Sequence, residues 1–349
     1  MKGLLNMFYK EDKDFDALAF GEILLRLSAP VNERMRSSAV FEKKAGGSEL
    51  NVASGICLLG LRTGIISKIP KNDIGSFIKN NIRFSGVSDD WLIYDERPEA
   101  RLGIYYYEHG VYPRKPTVVY DRKNASVNTI KPEDIPESIY KSTRLFHTSG
   151  ISLALSDETR SISENFIRNF KEAGAIISFD VNYRVNLWTE EEAKAYIERI
   201  LPYVDVLFIS EETSRRTFKK TGDLKDILKE LANEYDIQIL ASTERKIISP
   251  RKHTFGSTIY NREEDKFYKE KAYENIEVVD RIGSGDAYVS GVLYGLLEYN
   301  DCQKALEYGN AYSAVKNTIM GDLPSSDKKE IDRIIEGHHS IGYQSELNR

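Results

Sequence analysis

The stretch "VVDRIGSGDAYVSGVLYGLLEY" (residues 278–299) sets two glycines, a serine and an aspartate between an apolar extended run and an apolar helical run. The spacing predicts a helix from about Asp286, with Val289, Val292, Leu293, Leu296 and Leu297 as its buried stripe. The first N–H groups of a helix lack intrahelical partners, and the helix dipole adds partial positive charge beside them. With Gly283, Ser284 and Gly285 in the turn, a phosphate can come close to the backbone, which makes this a candidate anion site. A carboxylate at Asp286 repels such a ligand unless its charge has work to do, such as accepting the proton of an attacking alcohol. A glycine turn closed by an N-cap aspartate is the alternative reading of the same residues. Neither G-x-x-x-x-G-K-[ST] nor G-x-G-x-x-G with a following acid occurs in the sequence, so phosphoryl transfer would need another architecture.

The surrounding elements must bring that turn to a ligand. "DALAFGEILLRLS" (16–28) reads as a strand running into a second extended piece, "SELNVASGICLLGL" (48–61) as a helix carrying small residues, and "RTGIISKI" (62–69) as the next strand. The rhythm resumes with strand "TRLFHTSGI" (143–151), helix "DETRSISENFIRNFKEAG" (157–174) ending at Gly174, strand "AIISFDVN" (175–182) and helix "EEEAKAYIERILPYV" (190–204). "DVLFIS" (205–210), "DLKDILKELANEY" (223–235), "IQILAST" (237–243) and a last strand "IEVVDRI" (276–282) complete it. Strands alternating with helices predict a mostly parallel sheet covered on both faces, whose ligands bind at the carboxyl ends of the strands. Residues 101–123, "RLGIYYYEHGVYPRKPTVVYDRK", break the pattern with two aromatic, β-branched runs around a Gly and Pro-rich connection, as in a hairpin. Together with the extended residues 22–44 they predict a small antiparallel sheet outside the main one, placed as a lid.

With 349 residues, 41% of them apolar, the chain can bury one large core or two modest ones. Its net charge of −5 comes from mixed acids and bases, which argues against nucleic acid as a partner and favours a small metabolite. Cys57 and Cys302 have no His or Cys at metal-ligand spacing, and both are expected to act as small apolar residues. No run of 18 apolar residues and no signal-peptide core occurs, so a cytoplasmic protein without membrane contact is expected. The five histidines are scattered or fall in the polar tail, and none is proposed as catalytic.

Two stretches, "AGGSELNVASGICLLGLRTGIISKI" and "VDRIGSGDAYVSGVLYGLL", lie about 230 residues apart and resemble the glycine-pair and G-x-G-D signatures of the ribokinase-like (PfkB) carbohydrate kinases. The resemblance covers about residues 16–325. It implies a ribokinase-like three-layer α/β/α fold with lid strands from about 22–44 and 98–128. Residues 1–15 form an N-terminal extension, and 326–349 a C-terminal helix and polar tail. "GEILLRLS", Glu49 in "GGSELN", "YDRKNAS", "FDVNYRVNLW" and "KNTIMGDLP" are most similar to the 2-keto-3-deoxygluconate kinases. Such kinases move the γ-phosphoryl of ATP to the 6-hydroxyl of a 2-keto-3-deoxy sugar acid. A substrate carboxylate favours the planar fork of a guanidinium, and Arg122 and Arg184 offer one.

By resemblance, Tyr105, Tyr120, Arg122 and Arg184 hold the carboxylate and keto end of the sugar acid, Gly47 and Asn51 hold hydroxyls, and Asp286 is the base. The amides of Gly283, Ser284 and Gly285 are the anion hole for the γ-phosphate. The family's N-x-x-E motif near Mg²⁺ reads "FISEET" here, with Ser210 and Thr213 at its ends, which leaves Glu212 as the candidate for an outer-sphere role; a solvated helix start competes with it. The family's T-x-G-x-x-G pattern is replaced by "ASTERKIISPRKHTFGSTIYN", and the nucleotide contacts are placed at Thr243, Gly256, Asn182 and Asn310. The resemblance also implies a homo-oligomer formed through the lid. Kinases of the same fold for a galacto epimer, fructose or a nucleoside, and a non-catalytic sugar-acid-binding paralogue, are the competing readings.

Overall fold

The computed structural model describes residues 7–8 and 11–340; the expected polar tail beyond 340 and most of the first ten residues lie outside the described residues. The chain opens with β1 (Phe15–Phe20), β2 (Leu24–Ser28) and β3 (Glu42–Gly46), then α1 (Ser48–Leu58), β4 (Thr63–Pro70), α2 (Asp73–Phe84) and β5 (Leu92–Asp95). Strands β6 (Gly103–Glu108) and β7 (Thr117–Asp121) follow. Next come β8 (Thr143–Ser149), α3 (Gly150–Ala154), α4 (Asp157–Glu172), β9 (Ile176–Asp180), α5 (Glu190–Ile200), β10 (Val206–Phe208), α6 (Glu211–Arg216) and α7 (Leu224–Tyr235). The last third holds β11 (Ile239–Ser249), β12 (Lys252–Asn261), β13 (Lys266–Tyr268), β14 (Tyr273–Glu277), α8 (Ser284–Tyr299), α9 (Cys302–Lys316) and α10 (Lys328–His339).

The main sheet runs β13-β12-β11-β10-β9-β8-β1-β4-β5 and is parallel from β11 to β5. Its strands are apolar on both faces, and consecutive residues go to opposite layers. Leu18, Phe146, Leu207 and Leu240 pack with Phe166 and Phe170 of α4, Ile197 of α5 and Leu228 of α7. Their neighbours Ala17, Leu145, Val206 and Ile239 pack with Val52 of α1, Val289 and Leu293 of α8, and Leu306 of α9. This is the expected three-layer α/β/α arrangement. Helix boundaries follow local chemistry: α4 begins behind Ser156, whose Oγ accepts the Thr159 N–H, and ends before Gly174 at φ +90°.

The lid is a separate four-stranded sheet, β3-β2-β6-β7. Its outer pairs are antiparallel and its central β2–β6 pair is parallel. Leu24, Tyr105 and Tyr107 on its inner face pack on Ile282, just before the glycine turn.

Three stretches of the main domain depart from the sequence expectation. The helix α2 and the strand β5 lie in a stretch that was assigned no element. The segment after Thr243 continues in the strand to Ser249 and returns as β12, so a long antiparallel hairpin stands where a polar insertion was expected. Finally, "IEVVDRI" is not one strand: β14 ends at Glu277 and pairs antiparallel with β12. Residues 278–282 cross to the turn outside any strand, tied by Val279 and Asp280 N–H groups to the Asn317 carbonyl at 2.8 and 3.1 Å.

Candidate active site

The glycine turn is tighter than the sequence suggested, since α8 begins at Ser284 rather than at Asp286. Gly283 is the N-cap, with φ +81°, and a Cβ there would lie 2.1 Å from the Asp322 carbonyl oxygen. No side chain among the described residues caps this end. Ser284 N–H reaches the Arg281 carbonyl at 3.3 Å, and no acceptor among the described residues meets the N–H groups of Gly285 and Asp286. Space beside Gly285 is open. The donors left for an anion therefore belong to the first helical turn, with Gly285 at their centre.

Asp286 is half-buried and hydrogen-bonded on both oxygens: Ser48 Oγ donates to Oδ1 at 2.8 Å and Asn51 Nδ2 to Oδ2 at 2.6 Å. Ser48 in turn accepts from Asn182 Nδ2 at 2.9 Å. Both donors come from the first turn of α1. That helix packs closely on α8, because Gly55 leaves room for Ser290, whose Oγ donates to the Asp286 carbonyl at 2.7 Å. The start of α1 is set by Gly47 at φ +136°, where a Cβ would stand 2.4 Å from the Glu22 carbonyl oxygen. Only glycine fits that backbone and that distance.

On the lid side, Arg122 pairs through Nη2 with the buried Glu22 carboxylate and lies 5.2 Å from the Tyr120 ring centroid. Arg122 Nε, Glu22 Oε1 and Asn51 Oδ1 are buried without a partner among the described residues. Buried polar groups are seldom left that way, so donors and acceptors aimed at a polar ligand are the natural account of them. Tyr120 is exposed, and its ring centroid is 5.7 Å from that of Tyr105. Tyr105 differs from expectation: it is buried, and its hydroxyl is spent on Asp322.

On the other side of Asp286 opens a cleft of about 580 Å³ at the carboxyl ends of β9, β10 and β11. Asp180, Asn182, Arg184, Glu212, Thr243, Arg245, Gly285 and Tyr288 are among its walls. Arg184 is exposed and, among the described residues, bonded only to the Tyr183 carbonyl, at 3.1 Å. Ser210 caps α6, with Oγ accepting the Thr213 N–H at 3.1 Å, and Glu212 is exposed and paired with Arg216 at 3.0 Å. Two proposed nucleotide contacts do not line this cleft. Gly256 faces Ala272, 3.2 Å from where its Cβ would be, and Asn310 is fully buried between Ser257 Oγ and Glu270 Oε1, both at 2.7 Å.

Three acids share this centre, and burial is the first cause of each shift. Asp286 is pushed above the ordinary carboxylate range, opposed by its bonds to Asn51 and Ser48. Asp180 is pushed up to about 7, chiefly by burial and then by the Asp286 charge. Glu49, buried against Gly21, is likewise pushed up to about 7, opposed by the hydroxyls of Ser149 and Ser152. Glu22, Ser48, Asp180 and Arg245 were not assigned from sequence, although Glu22 follows a glycine in the quoted "GEILLRLS" and Asp180 precedes Asn182 in "FDVN".

Comparison with known proteins follows the same outline. Residues 15–329 match the pfkB family of carbohydrate kinases. The 2-dehydro-3-deoxygalactonokinase of Haloferax volcanii is 33% identical over 322 residues, 92% of this chain and 97% of that one. The 5-dehydro-2-deoxygluconokinase of Bacillus licheniformis is 28% identical over 309 residues, 88% of this chain and 91% of that one. The crystal structure of the 2-dehydro-3-deoxygluconokinase of Thermotoga maritima superposes with a TM-score of 0.88 at 32% identity, covering 94% of this chain and all of that one.

Proposed function

Since this chain belongs to the pfkB family of carbohydrate kinases, we propose that it phosphorylates the 6-hydroxyl of 2-keto-3-deoxygluconate with ATP, giving 2-keto-3-deoxy-6-phosphogluconate and ADP. The observation that carries this reading is the position of Asp286. Ser48 and Asn51 hold it between the open helix end at Gly285 and the lid side, where Arg122 Nε and, on α1, Asn51 Oδ1 are buried without a partner among the described residues.

Asp286 orients the 6-hydroxyl and takes its proton as the new O–P bond forms and the bridging β,γ P–O bond breaks. Burial raises its basicity for that step, although a carboxylate remains a weak base beside an alcohol, so alignment is the larger part of its role. Gly285 N–H, with Gly283 and Ser284 shaping the turn, meets the charge on the transferring oxygens. Arg122, on the lid side, holds the sugar carboxylate, with Arg184 meeting it from the cleft wall on the other side of Asp286; Tyr120 lines the keto end, and Asn51 and Gly47 meet hydroxyls. Tyr105 supports this set from beneath, through Asp322. Asn182 and Thr243 line the nucleotide cleft, and on the neighbouring strand Gly256 stands opposite Glu244, and Ser257, which donates to Asn310, opposite Thr243. ATP supplies the transferable phosphoryl group.

Among the described residues no three His, Cys, Asp or Glu side chains gather as a metal cage. Magnesium bound with a nucleotide keeps mainly phosphate and water ligands and needs only one or two carboxylates. Glu212 and Asp180, the acids in the cleft wall, fit that mode. The exposed strand β7, with Val118, Val119 and Tyr120 open to solvent, supports pairing of two copies through their lids. The described helices include none long and apolar enough to cross a membrane, in keeping with a small-molecule kinase of the cytoplasm.

The name of the Haloferax relative favours a second reading, the galacto epimer as substrate. Both are decided by ADP release, coupled to NADH oxidation, on 2-keto-3-deoxygluconate, its galacto epimer, fructose, ribose and adenosine. Turnover confined to the keto-deoxy acids is expected, with kcat down ~100- to 10,000-fold in Asp286→Asn. The ratio of the two epimers ranks the readings. Binding of the acids without turnover would mark a non-catalytic sugar-acid-binding protein.

A further inference from the structure

Arg26 has no place in the chemistry above, yet it is the largest fully buried side chain among the described residues. It sits at the centre of the lid on β2, in register with Lys44 of β3 and Tyr105 of β6. Its Nε donates to Ser28 Oγ at 2.6 Å, and its guanidinium carbon lies 4.4 Å over the Tyr107 ring. The two remaining nitrogens leave the lid: Nη2 is 2.7 Å from Asp280 Oδ2, and Nη1 donates to Asp322 Oδ1 at 2.8 Å.

Both aspartates belong to the frame of the glycine turn. Asp280 Oδ1 accepts the Ile282 N–H at 3.1 Å and Oδ2 the Gly321 N–H at 3.0 Å, which fixes the non-strand connection into α8. Asp322 lies under two glycines at once. Its carbonyl oxygen occupies the side-chain space of Gly283, and its Oδ2 that of Gly46, the last residue of β3. Tyr105, from the lid, donates to the same Oδ2. Ile282 completes the contact by packing on Leu24, Tyr105 and Tyr107. A shift of the lid relative to the main sheet is therefore carried to Gly283 by Arg26 through Asp280 and Asp322, alongside the packing of Ile282.

We propose that Arg26 is a positioning residue that couples the two halves of the site: held between Asp280 and Asp322, it locks the lid to the anion-binding turn, so that seating of the sugar aligns the turn for the nucleotide. The inference rests on the kinase reading above. A planar fork suits this place because it reaches two carboxylates in fixed directions, which a single ammonium cannot do. Lys316 is the other buried cation influenced by both aspartates, and it donates to the Ile319 carbonyl at 3.1 Å, so it does not replace the clamp.

The test compares wild type, Arg26→Lys and Asp322→Asn, the last nearly isosteric and the safeguard if the lysine variant fails to fold. Steady-state kinetics on the sugar acid are read beside the affinity for a non-hydrolysable ATP analogue with Mg²⁺, measured with and without saturating sugar. In the wild type the sugar is expected to tighten analogue binding at least fivefold. In either folded variant that ratio is expected to fall towards one, with kcat down at least tenfold and the analogue affinity without sugar within threefold of wild type. A variant that keeps the wild-type ratio overturns the proposal, whether or not kcat falls, because a lower kcat alone reports a loosened fold. A wild-type ratio near one overturns it as well. If the wild type phosphorylates none of the sugars, the kinase reading falls first and this proposal with it; a working wild type beside unchanged variants sinks only the coupling.

Discussion

Glu49 offers a test that needs no substrate. Its side chain is 1% exposed, Oε1 accepts from Ser149 Oγ at 2.6 Å and Ser152 Oγ at 3.0 Å, and the other oxygen faces Gly21. Burial lifts its carboxyl from an ordinary 4.5 to about 7, so the folded state prefers the protonated form. A raised value means that this contribution to stability is complete below pH 4.5 and is lost as pH rises through 7. A gap of that size corresponds to ~3 kcal/mol lost by pH 8, of which about 1 kcal/mol is already gone at pH 5. Glu49→Gln removes the titration while its carbonyl oxygen can still accept from both serines. At roughly 2 °C per kcal/mol for a chain this long, the variant should melt ~6 °C above wild type at pH 8 and only ~2 °C above it at pH 5. Thermal unfolding of both proteins from pH 5 to 8 at constant ionic strength reads this directly. Asp180 titrates in both, and losing the Glu49 charge that helps to raise it widens the difference in the same direction. Melting curves that stay parallel across the range would refute a buried, proton-carrying Glu49.

Two further perturbations separate binding from folding. Gly285→Ala adds a methyl group where nothing lies within 4 Å, so stability should hold or rise by up to ~1 kcal/mol. The KM for ATP should nevertheless rise at least tenfold, and an unchanged KM would place the phosphates elsewhere. Arg122→Gln removes a charged donor beside the substrate carboxylate, a loss of ~1.5–3 kcal/mol or about 10- to 150-fold in kcat/KM for the sugar acid. The KM for ATP should stay within twofold; equal losses on both substrates would mean that the pairing of Arg122 with Glu22 serves the fold instead.

The local signals proved easier to read than the long-range ones. The glycines of residues 283–285 and the small-residue helix at 48–58 are visible because turns and helix periods are written in neighbouring residues. The bonds that make them a site join positions far apart: Asn51 reaches Asp286 across 235 residues, Glu22 meets Arg122 across 100, and Arg26 meets Asp322 across 296. Periodicity carries no trace of such pairs. Arg26 is the plainest case, since an arginine in a strand reads as a solvent-facing residue until Asp280 and Asp322 close over it. The hairpin of β11 and β12 escaped for a related reason. Beyond Thr243 its outward half is exposed, so the alternation that marks a half-buried strand gives way to charges that mimic a loop.

A remaining question is how an anion site tolerates three carboxylates. If Glu49, Asp180 and Asp286 were all ionised, their charge would oppose the phosphates that Gly285 is built to receive. The hydrogen bonds distribute the charge unequally. Asp286 has a donor on each oxygen, with Asn182 behind Ser48, and Arg184 favours its ionised form. Glu49 takes both of its side-chain donors on one oxygen and presses the other against Gly21, while among the described residues Asp180 is given only the Asn182 backbone N–H, at 3.1 Å. Near neutral pH Glu49 and Asp180, both pushed up to about 7, carry a good part of their protons, whereas Asp286, raised by burial as well, is the one with a side-chain donor on each oxygen to oppose that rise. The carboxylate that needs its charge for the reaction is thus the one whose two oxygens both receive side-chain donors, which offsets part of the burial cost that all three acids bear.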